Sequence, residues 1–485
     1  MSTVSVAVSK EKPPLYADHK KVYPRQVRGV FRRLKWIVLT VLLAIYYSLP
    51  WIRWDRGLDA PAQAVLLDVS GRRLYFFWIE IWPQEIYYLT GVLILAAVGL
   101  FLVTAVAGRL WCGYACPQTV WTDLFMLVER WVEGDRPARM QLDRTGFSLE
   151  KLKKKVLKHA IWLAISVITG GAWILYFVDA PTFMGQLWHA SVSGPVLFFI
   201  GLFTTTTYLL AGYSREQVCT YMCPWPRFQS AMLDEDSLTV TYRDWRGEGR
   251  RPLRKSESWD ERVATGGGDC IDCHQCVQVC PTGIDIRNGP QMECIGCGLC
   301  IDACNDMMSK IDRPGNLIAF DTERNHQARP LGLAPRYRAV RPRTLIYSLI
   351  LIVIGAVMVT TLVFRPRLDI SVLRDRAPLF VSLSGGEIRN GFTVKISNMT
   401  RQDRNFILTL PDLPQGEITV VGPDETPAKA VPLAARRDSV NTYRVYVRAN
   451  ISVLHGASTP LDFVLTEASG GETAHRDTVF LGPEH

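Results

Sequence analysis

Five apolar stretches, each of about 20 residues, constrain this chain more than any other feature. They run over Leu34–Trp51, Glu85–Ala107, Ala160–Val178, Val192–Tyr213 and Thr344–Phe364. An apolar helix of this length matches the hydrocarbon core of a bilayer, and hydrophobic residues make up 48% of the 485-residue chain. The sequence therefore predicts a membrane α-helical protein with about five transmembrane helices.

Basic residues are distributed unevenly among the segments that flank these stretches. Nine Lys or Arg lie within residues 1–35 and ten within residues 108–158, whereas residues 179–191 contain none. Because Lys and Arg are enriched on the cytoplasmic side of a membrane, we expect the N-terminus, residues 108–158 and residues 214–343 to be cytoplasmic. Five spans then place the C-terminal region in the periplasm. The basic runs adjoin the spans and lack interleaved aromatic residues, so no nucleic-acid partner is expected.

Two cysteine runs follow the fourth apolar stretch and share one spacing. "CIDCHQCVQVCP" begins at Cys270 and "CIGCGLCIDAC" begins at Cys294. Each has the Cys-x2-Cys-x2-Cys-x3-Cys spacing of a bacterial ferredoxin, in which the fourth cysteine ligates the other cluster. Structural zinc sites use pairs of cysteines instead. We predict two [4Fe–4S] clusters, the first held by Cys270, Cys273, Cys276 and Cys304 and the second by Cys280, Cys294, Cys297 and Cys300. His274, inside the first run, is expected to be a polar neighbour and not a ligand.

Two shorter motifs, each ending in Cys-Pro, follow the second and fourth apolar stretches. Cys112 and Cys116 lie in "RLWCGYACPQTVW", and Cys219 and Cys223 lie in "QVCTYMCPWPRF". An even number of spans separates the motifs, so both emerge on one membrane face. Thiolates bind Cu(I) well, and Met222 is a further soft donor. We predict a site for transient copper or redox chemistry at these four cysteines. A further stable metal centre and purely structural thiols remain as alternatives.

Residues 368–481 contain short runs in which apolar and polar residues partly alternate, separated by Gly, Pro, Asn and Asp. We count about seven such runs, which predicts an all-β sandwich resembling an immunoglobulin domain. No catalytic group stands out there, so a structural or docking module is expected.

The expected domain order follows from these features. It is a cytoplasmic N-terminal tail (1–33), a membrane domain with four spans and both Cys-Pro motifs (34–233), a linker with a dicluster ferredoxin-like domain (234–320), a basic linker (321–343), the fifth span (344–364) and a periplasmic Ig-like domain (365–485).

This combination of parts resembles the FixG/CcoG family, also called RdxA, the membrane ferredoxin-type accessory proteins of cbb3-type cytochrome c oxidase. The resemblance rests on the two Cys-Pro motifs, the paired cysteine runs, the fifth span and the Ig-like tail, and covers nearly the whole chain. It implies a protein of the bacterial inner membrane that serves oxidase maturation as a cupric reductase, converting Cu(II) to Cu(I). The expected partners are a copper-exporting ATPase or copper chaperone, oxidase assembly factors and an unidentified electron donor, and a homodimer is compatible with this role.

The membrane half is also similar to ferredoxin-type quinol dehydrogenase subunits that supply periplasmic reductases, which implies an electron relay from quinol to such a reductase as the alternative function, with quinol oxidation at the cytoplasmic interface. A relay across the membrane would profit from b-type haem, which needs paired histidines inside spans. His159 and His189 are the histidines near the spans, and they lie on opposite sides of the membrane, so bis-histidine haem is not expected. A scaffold without redox activity is disfavoured by two intact cysteine runs. No Gly-rich dinucleotide fingerprint follows a strand, so NAD or flavin is not expected.

Overall fold

The computed structural model describes most of the chain, with short gaps. The described residues are 21–57, 60–254, 257–422, 425–454 and 456–483. Residues 1–20 of the predicted N-terminal tail lie outside them. The chain divides into two compact units, Met1–Trp54 with Pro61–Ala356 and Asp55–Ala60 with Val357–His485.

Five helices of the described chain are long and apolar enough to cross a membrane, which confirms the predicted number and makes this a membrane protein. In chain order, spans 1 to 5 are Val30–Trp51, Pro83–Ala107, Leu149–Ile174, Gly194–Met222 and Pro342–Val363. Span 3 begins at Leu149 and not at Ala160, because the basic segment before the apolar stretch continues the same helix. Ser148 caps it by accepting a hydrogen bond from the Lys151 N–H at 3.2 Å.

Shorter helices connect the spans and build the soluble part. The α-helices are α1 (Val30–Ser48), α2 (Tyr87–Ala107), α3 (Leu110–Tyr114), α4 (Pro117–Glu133), α5 (Arg136–Arg144), α6 (Leu149–Ile174), α7 (Ala180–Trp188), α8 (Gly194–Thr207), α9 (Arg215–Gln217), α10 (Trp225–Met232), α11 (Asp244–Gly247), α12 (Trp259–Ala264), α13 (Gln275–Gln278), α14 (Leu299–Lys310), α15 (Glu323–Ala328) and α16 (Pro342–Val363). Two π-helical segments, Tyr208–Ser214 and Val218–Met222, flank α9 and carry span 4 past the predicted end at Tyr213.

A small antiparallel sheet, not predicted from the sequence, lies between spans 1 and 2. Its strands are β1 (Val65–Asp68), β2 (Arg73–Phe76) and β3 (Ile79–Ile81), paired in that order. The fully buried Gln63 ties the sheet to the end of span 3, because its side-chain amide donates to the carbonyls of Val65 at 2.7 Å and Leu175 at 2.6 Å.

Span 1 is fixed by buried charges to the helices that carry the cysteines. Arg32 donates to both carboxylate oxygens of Asp123 in α4, at 2.9 and 3.0 Å. Asp302 of α14 accepts the backbone N–H groups of Phe31 at 3.2 Å and Arg32 at 2.8 Å, at the start of α1. Because buried charges are costly without partners, these contacts set the position of α1 against α4 and α14.

The ferredoxin-like module is closed by a two-stranded sheet, β4 (Thr239–Tyr242) with β5 (Ile318–Asp321), in which Thr239 pairs with Asp321. The segment expected to be a linker before the first cysteine run is folded against that run. Arg262 of α12 is completely buried and donates to the carbonyls of Gly268 at 2.8 Å and Cys270 at 3.0 Å. The two ends of the module are therefore held together by backbone pairing.

The second unit contains a β-sandwich of nine strands within the described residues, which confirms the Ig-like prediction. The strands are β6 (Leu368–Arg374), β7 (Val381–Ser382), β8 (Glu387–Asn398), β9 (Arg404–Thr409), β10 (Glu417–Val420), β11 (Ala430–Ala435), β12 (Ser439–Asn450), β13 (Ser458–Glu467) and β14 (Thr473–Leu481). One sheet has the order β10-β12-β8-β6 with β7 on β8, and the other has the order β11-β9-β13-β14. Phe392, Phe406, Phe463 and Phe480 are fully buried in the core.

The sequence missed β7 and β11 for different reasons. β7 has two residues, too few to show alternation. β11, "AVPLAA", contains a proline and three alanines, which are depleted in strands. Its pairing with β9, over Ala430 to Ala435, is decided by tertiary contacts.

Candidate iron–sulfur centres and the Cys-Pro site

The two cysteine runs adopt the same backbone conformation. The residues on either side of the central cysteine have left-handed φ values in both runs, 54° at Asp272 and His274, and 67° and 73° at Gly296 and Gly298. Each run then enters a helix, α13 in the first and α14 in the second. Such left-handed turns wrap the chain around a central point. The sequence repeat is therefore a repeat of three-dimensional structure.

The structure brings the last cysteine of the second run to the first three of the first run. The thiols that act electrostatically on Cys304 are those of Cys276, Cys270 and Cys273. Burial raises the pKa of Cys276 and of Cys304 to about 12, so a bound metal must displace their protons. This grouping is the one that the interleaved ligand prediction requires, and the ligand assignment itself stays a prediction.

The other group surrounds a small, partly enclosed space. Its lining consists of Cys280, Cys294, Cys297 and Cys300, with Cys276, together with apolar side chains. Burial raises the pKa of Cys294 to about 12 and that of Cys300 well above its usual value. A sulfur-lined cavity with apolar walls fits an iron–sulfur cluster, because soft thiolates are its protein ligands. These residues would hold it, and it would supply reversible one-electron transfer.

His274 lies beside the first group in a network of charged side chains. Its ring Nδ1 is 2.9 Å from Nη2 of Arg287, and its Nε2 is 3.3 Å from the carboxylate of Asp272. The buried Arg287 also binds Asp285 at 2.6 Å and acts electrostatically on Cys276. The His274 ring therefore contacts charged neighbours, and a positive guanidinium faces the first group of thiols.

The Cys-Pro motifs place their cysteines at helix boundaries. Cys112 lies in α3, and Cys116 is the N-cap residue of α4, whose first residue is Pro117. In the second motif Cys219 lies in a π-helical turn, and Pro224 precedes α10. Proline is favoured at the first position of a helix because no partner there needs its missing N–H. Pro117 thus starts α4 directly after Cys116, and Pro224, directly after Cys223, is the N-cap residue of α10.

The structure brings the four Cys-Pro cysteines into one neighbourhood. Cys116, Cys219 and Cys223 all act electrostatically on the Cys112 thiol, whose pKa is raised by burial to about 12. Cys223 is exposed, the other three are half-buried, and Met222 is 62% exposed. Over the described residues, no three or more His, Cys, Asp or Glu side chains are close enough to hold a single metal ion.

The first Cys-Pro motif is docked directly on the loop that carries the second group of cluster cysteines. The Tyr114 hydroxyl donates to the Cys297 carbonyl at 3.0 Å, and Cys112 packs into the same apolar group as Cys297. A Cβ added to Gly113 would lie 2.9 Å from the Ile295 carbonyl oxygen and 3.1 Å from the Cys297 Cα. Glycine permits this close approach. The first Cys-Pro motif and the loop that carries Cys297 therefore pack directly against each other.

Two charged side chains also join the motif to the loop. Arg109 donates to the carbonyls of Cys294 at 3.1 Å and Pro226 at 3.0 Å, so it links the cluster loop with α10. Lys35 is 2% exposed, and its charge acts on both Cys297 and Cys219. Neither contact is predicted from the sequence. Each of these basic residues lies at the end of an apolar stretch, a pattern that indicates membrane orientation and not a contact with the cysteines.

Comparison with known proteins agrees with this architecture. Family models match residues 214–323 as a 4Fe-4S dicluster domain, residues 89–134 as a 4Fe-4S binding domain and residues 358–483 as the IG-like fold at the C-terminus of FixG. The nitrogen fixation protein FixG of Rhizobium meliloti (strain 1021) is 48% identical, over 91% of this chain and 89% of that protein. Protein RdxA and protein RdxB of Cereibacter sphaeroides are 46% and 45% identical, over 95% and 96% of this chain and 96% and 97% of those proteins.

The spans, the paired cysteine runs and these matches define the class: a membrane-bound iron–sulfur redox protein that carries [4Fe–4S] clusters. Within that class, the chain belongs to the family of FixG, RdxA and RdxB. The resemblance drawn from the order of motifs is confirmed.

Proposed function

We propose that the chain reduces Cu(II) to Cu(I) at the Cys-Pro cysteines, with electrons from its iron–sulfur clusters, and so serves maturation of the copper centre of a cbb3-type oxidase. One observation carries the proposal: the first Cys-Pro motif is docked on the loop of a predicted cluster ligand, since the Tyr114 hydroxyl donates to the Cys297 carbonyl at 3.0 Å and Cys112 packs against the apolar cluster that contains Cys297. Electron transfer falls steeply with distance, and this docking keeps the Cys-Pro site close to the second group of predicted cluster ligands.

The Cys-Pro site has the chemistry that the reaction needs. One electron from a reduced cluster converts one Cu(II) to Cu(I), and no bond to carbon or oxygen is made or broken. Thiolates stabilise Cu(I), and their deprotonation couples binding to pH. The exposed Cys223 and Met222 give the ion a route out to an acceptor. The acceptors we propose are a copper chaperone or a copper-exporting ATPase, with the oxidase assembly factors as further partners.

The test uses the double variant Cys116→Ser, Cys223→Ser in the purified full-length protein. After reduction with dithionite and removal of the excess, Cu(I) is measured with a Cu(I)-specific chromophoric chelator. We expect cluster absorption to be retained and Cu(I) formation to be abolished. Thr220→Ser is the matched control, since it changes a side chain between Cys219 and Cys223 and removes no thiol. Copper reduction at the normal rate by the double variant would contradict the proposal.

A second candidate function for the same cysteines is supported by the 4Fe-4S binding-domain match over residues 89–134, which contains Cys112 and Cys116. Here the four thiols hold a third iron–sulfur centre. Iron content separates the candidates, because two [4Fe–4S] clusters contain about eight iron atoms per chain and three contain about twelve. The double variant would lose about four iron atoms in the second case and none in the first.

A further inference from the structure

A cavity of ≈ 160 Å³ lies beside the second cluster loop, and its wall includes Cys294. Most of its lining is apolar, including Leu233, Leu238, Ile286 and Phe320. Arg109 is the one charged side chain among the described residues that line it, and Ser230 and Gln291 add neutral polar groups. A concave, mostly apolar site with a few polar groups is typical of a small-molecule binding site.

The cavity lies beside two of the predicted spans. Ser230 and Leu233 come from α10, which packs across the ends of two spans. The Trp225 ring of α10 stacks on Phe101 of span 2 at 5.9 Å, and Tyr347 of span 5 donates to the Met232 sulfur at 3.4 Å.

The helix α10 also carries an exposed apolar side chain, and the cavity adjoins a predicted cluster ligand. Phe228 of α10 is 56% exposed. The Leu238 N–H donates to the Val106 carbonyl at the end of span 2, at 3.2 Å. The cavity is therefore lined both by a helix that packs against the spans and by Cys294.

The charge and polarity of the cavity lining distinguish between classes of electron donor. A nicotinamide dinucleotide carries two phosphates, which are bound by glycine-rich turns and helix N-termini. The cavity offers one cation and apolar walls instead. A quinol has an apolar ring and tail and two hydroxyl groups, and it is dissolved in the membrane. We infer that the cavity binds a membrane quinol as the electron donor, with its ring against Val240 and Phe320 and its oxygens near Arg109 and Gln291.

Quinol oxidation balances with the two clusters and Cu(II) as electron acceptors. Its last step, the reduction of Cu(II), rests on the proposed function. Oxidation of the quinol breaks its two O–H bonds and releases two protons and two electrons. The protons pass to the water around the module. The oxidised molecule leaves as the quinone. The electrons pass one at a time to the cluster beside Cys294 and to its partner cluster, and finally reduce two Cu(II) ions to Cu(I).

The binding test uses a photoreactive azidoquinone with the full-length protein in detergent, followed by peptide mass spectrometry. Ser230→Trp places a bulky side chain on the cavity wall, and Ala231→Trp is the matched control, because this neighbour on α10 does not line the cavity. We expect labelling within residues 230–240 or 286–296 in the native protein and the control, and its loss in Ser230→Trp. Labelling elsewhere, or labelling that Ser230→Trp leaves unchanged, would overturn the inference.

The electron-transfer test follows bleaching of the iron–sulfur absorption under anaerobic conditions. With menadiol as the quinol, Ser230→Trp should bleach about tenfold more slowly than Ala231→Trp, whereas dithionite should bleach both at one rate. The inference would be overturned if NADH bleached the iron–sulfur absorption. It would also be overturned if menadiol left oxidised the clusters that dithionite reduces. If dithionite-reduced protein fails to reduce Cu(II), the proposed function fails. In that case azidoquinone labelling, together with bleaching by menadiol, would still support the quinol site.

Discussion

At the scale of single residues, we predict that the thiols of the two runs are divided between two metal sites. With Cys276 assigned to the first site and Cys297 to the second, Cys276→Ser and Cys297→Ser should each remove one cluster and leave the other. The expected loss is about four of about eight iron atoms per chain. Iron analysis and EPR of the reduced protein measure it. Ser309→Cys in α14 is the control and should leave the iron content unchanged. Stoichiometric zinc without iron, in protein made at low oxygen, would refute the assignment.

A second residue-scale prediction concerns Asp123, the buried partner of Arg32 at 2.9 Å and Lys35 at 3.8 Å. Asp123→Asn leaves two buried cations without a counter-charge and should destabilise the protein by about 3–5 kcal/mol. Asp306→Asn is the control. Its carboxylate pairs with Lys310 on the exposed face of α14, and exposed pairs contribute about 0–1 kcal/mol. Thermal unfolding in detergent measures both, and equal melting temperatures would contradict the prediction.

The same carboxylate gives a pH dependence. Burial alone would raise the pKa of Asp123, but the charges of Lys35 and Arg32 outweigh burial and hold this pKa below its usual value. A lowered carboxyl pKa stabilises the fold above the unfolded pKa of about 3.9, and this stabilisation is lost as pH falls through the folded pKa. The native protein should therefore lose more stability on acidification than Asp123→Asn. If the melting temperatures of the native protein and Asp123→Asn fall equally with pH, protonation of Asp123 is not coupled to folding.

At the scale of elements, the short helix α3 joins the Cys-Pro site to the cluster loop through Gly113. Gly113→Ala would place a Cβ 2.9 Å from the Ile295 carbonyl oxygen, so α3 must move away from the loop. We expect destabilisation by about 1–3 kcal/mol, as for overpacking, and slower copper reduction. Gly99→Ala in span 2 is the matched control, since its added Cβ meets no atom within 4 Å. A similar melting temperature and reduction rate for the two variants would show that α3 is not tightly docked.

The same elements show what the sequence could and could not predict. The spans, the cysteine runs and most sandwich strands follow from local patterns, because apolar length, cysteine spacing and alternation are read within one segment. The contact of Tyr114 with Cys297 joins residues 183 positions apart. Arg109 likewise reaches the Cys294 loop from 185 positions away. No local pattern encodes such distances, so the docking of α3 and the cavity beside Cys294 emerge only from the folded chain.

At the scale of the whole molecule, the distribution of Lys and Arg predicts how the chain is inserted. Nine basic residues precede or begin span 1, ten lie between spans 2 and 3, and none lies in residues 179–191. The positive-inside rule places the cysteine runs in the cytoplasm and the sandwich in the periplasm. Alkaline phosphatase folds to an active enzyme only outside the cytoplasm. A fusion after His485 should therefore be active, and a fusion after Asp321 should be inactive.

The insertion test has a reciprocal control and a functional consequence. Green fluorescent protein, which becomes fluorescent in the cytoplasm but not after unfolded export, should give the opposite pattern at the same two positions. All twelve cysteines lie between Cys112 and Cys304, and the predicted cytoplasmic location keeps them reduced and free to bind metal. An active phosphatase fusion at Asp321 would place the clusters in an oxidising compartment. In that case the orientation predicted from the distribution of Lys and Arg is wrong, and copper reduction must take place on the periplasmic face.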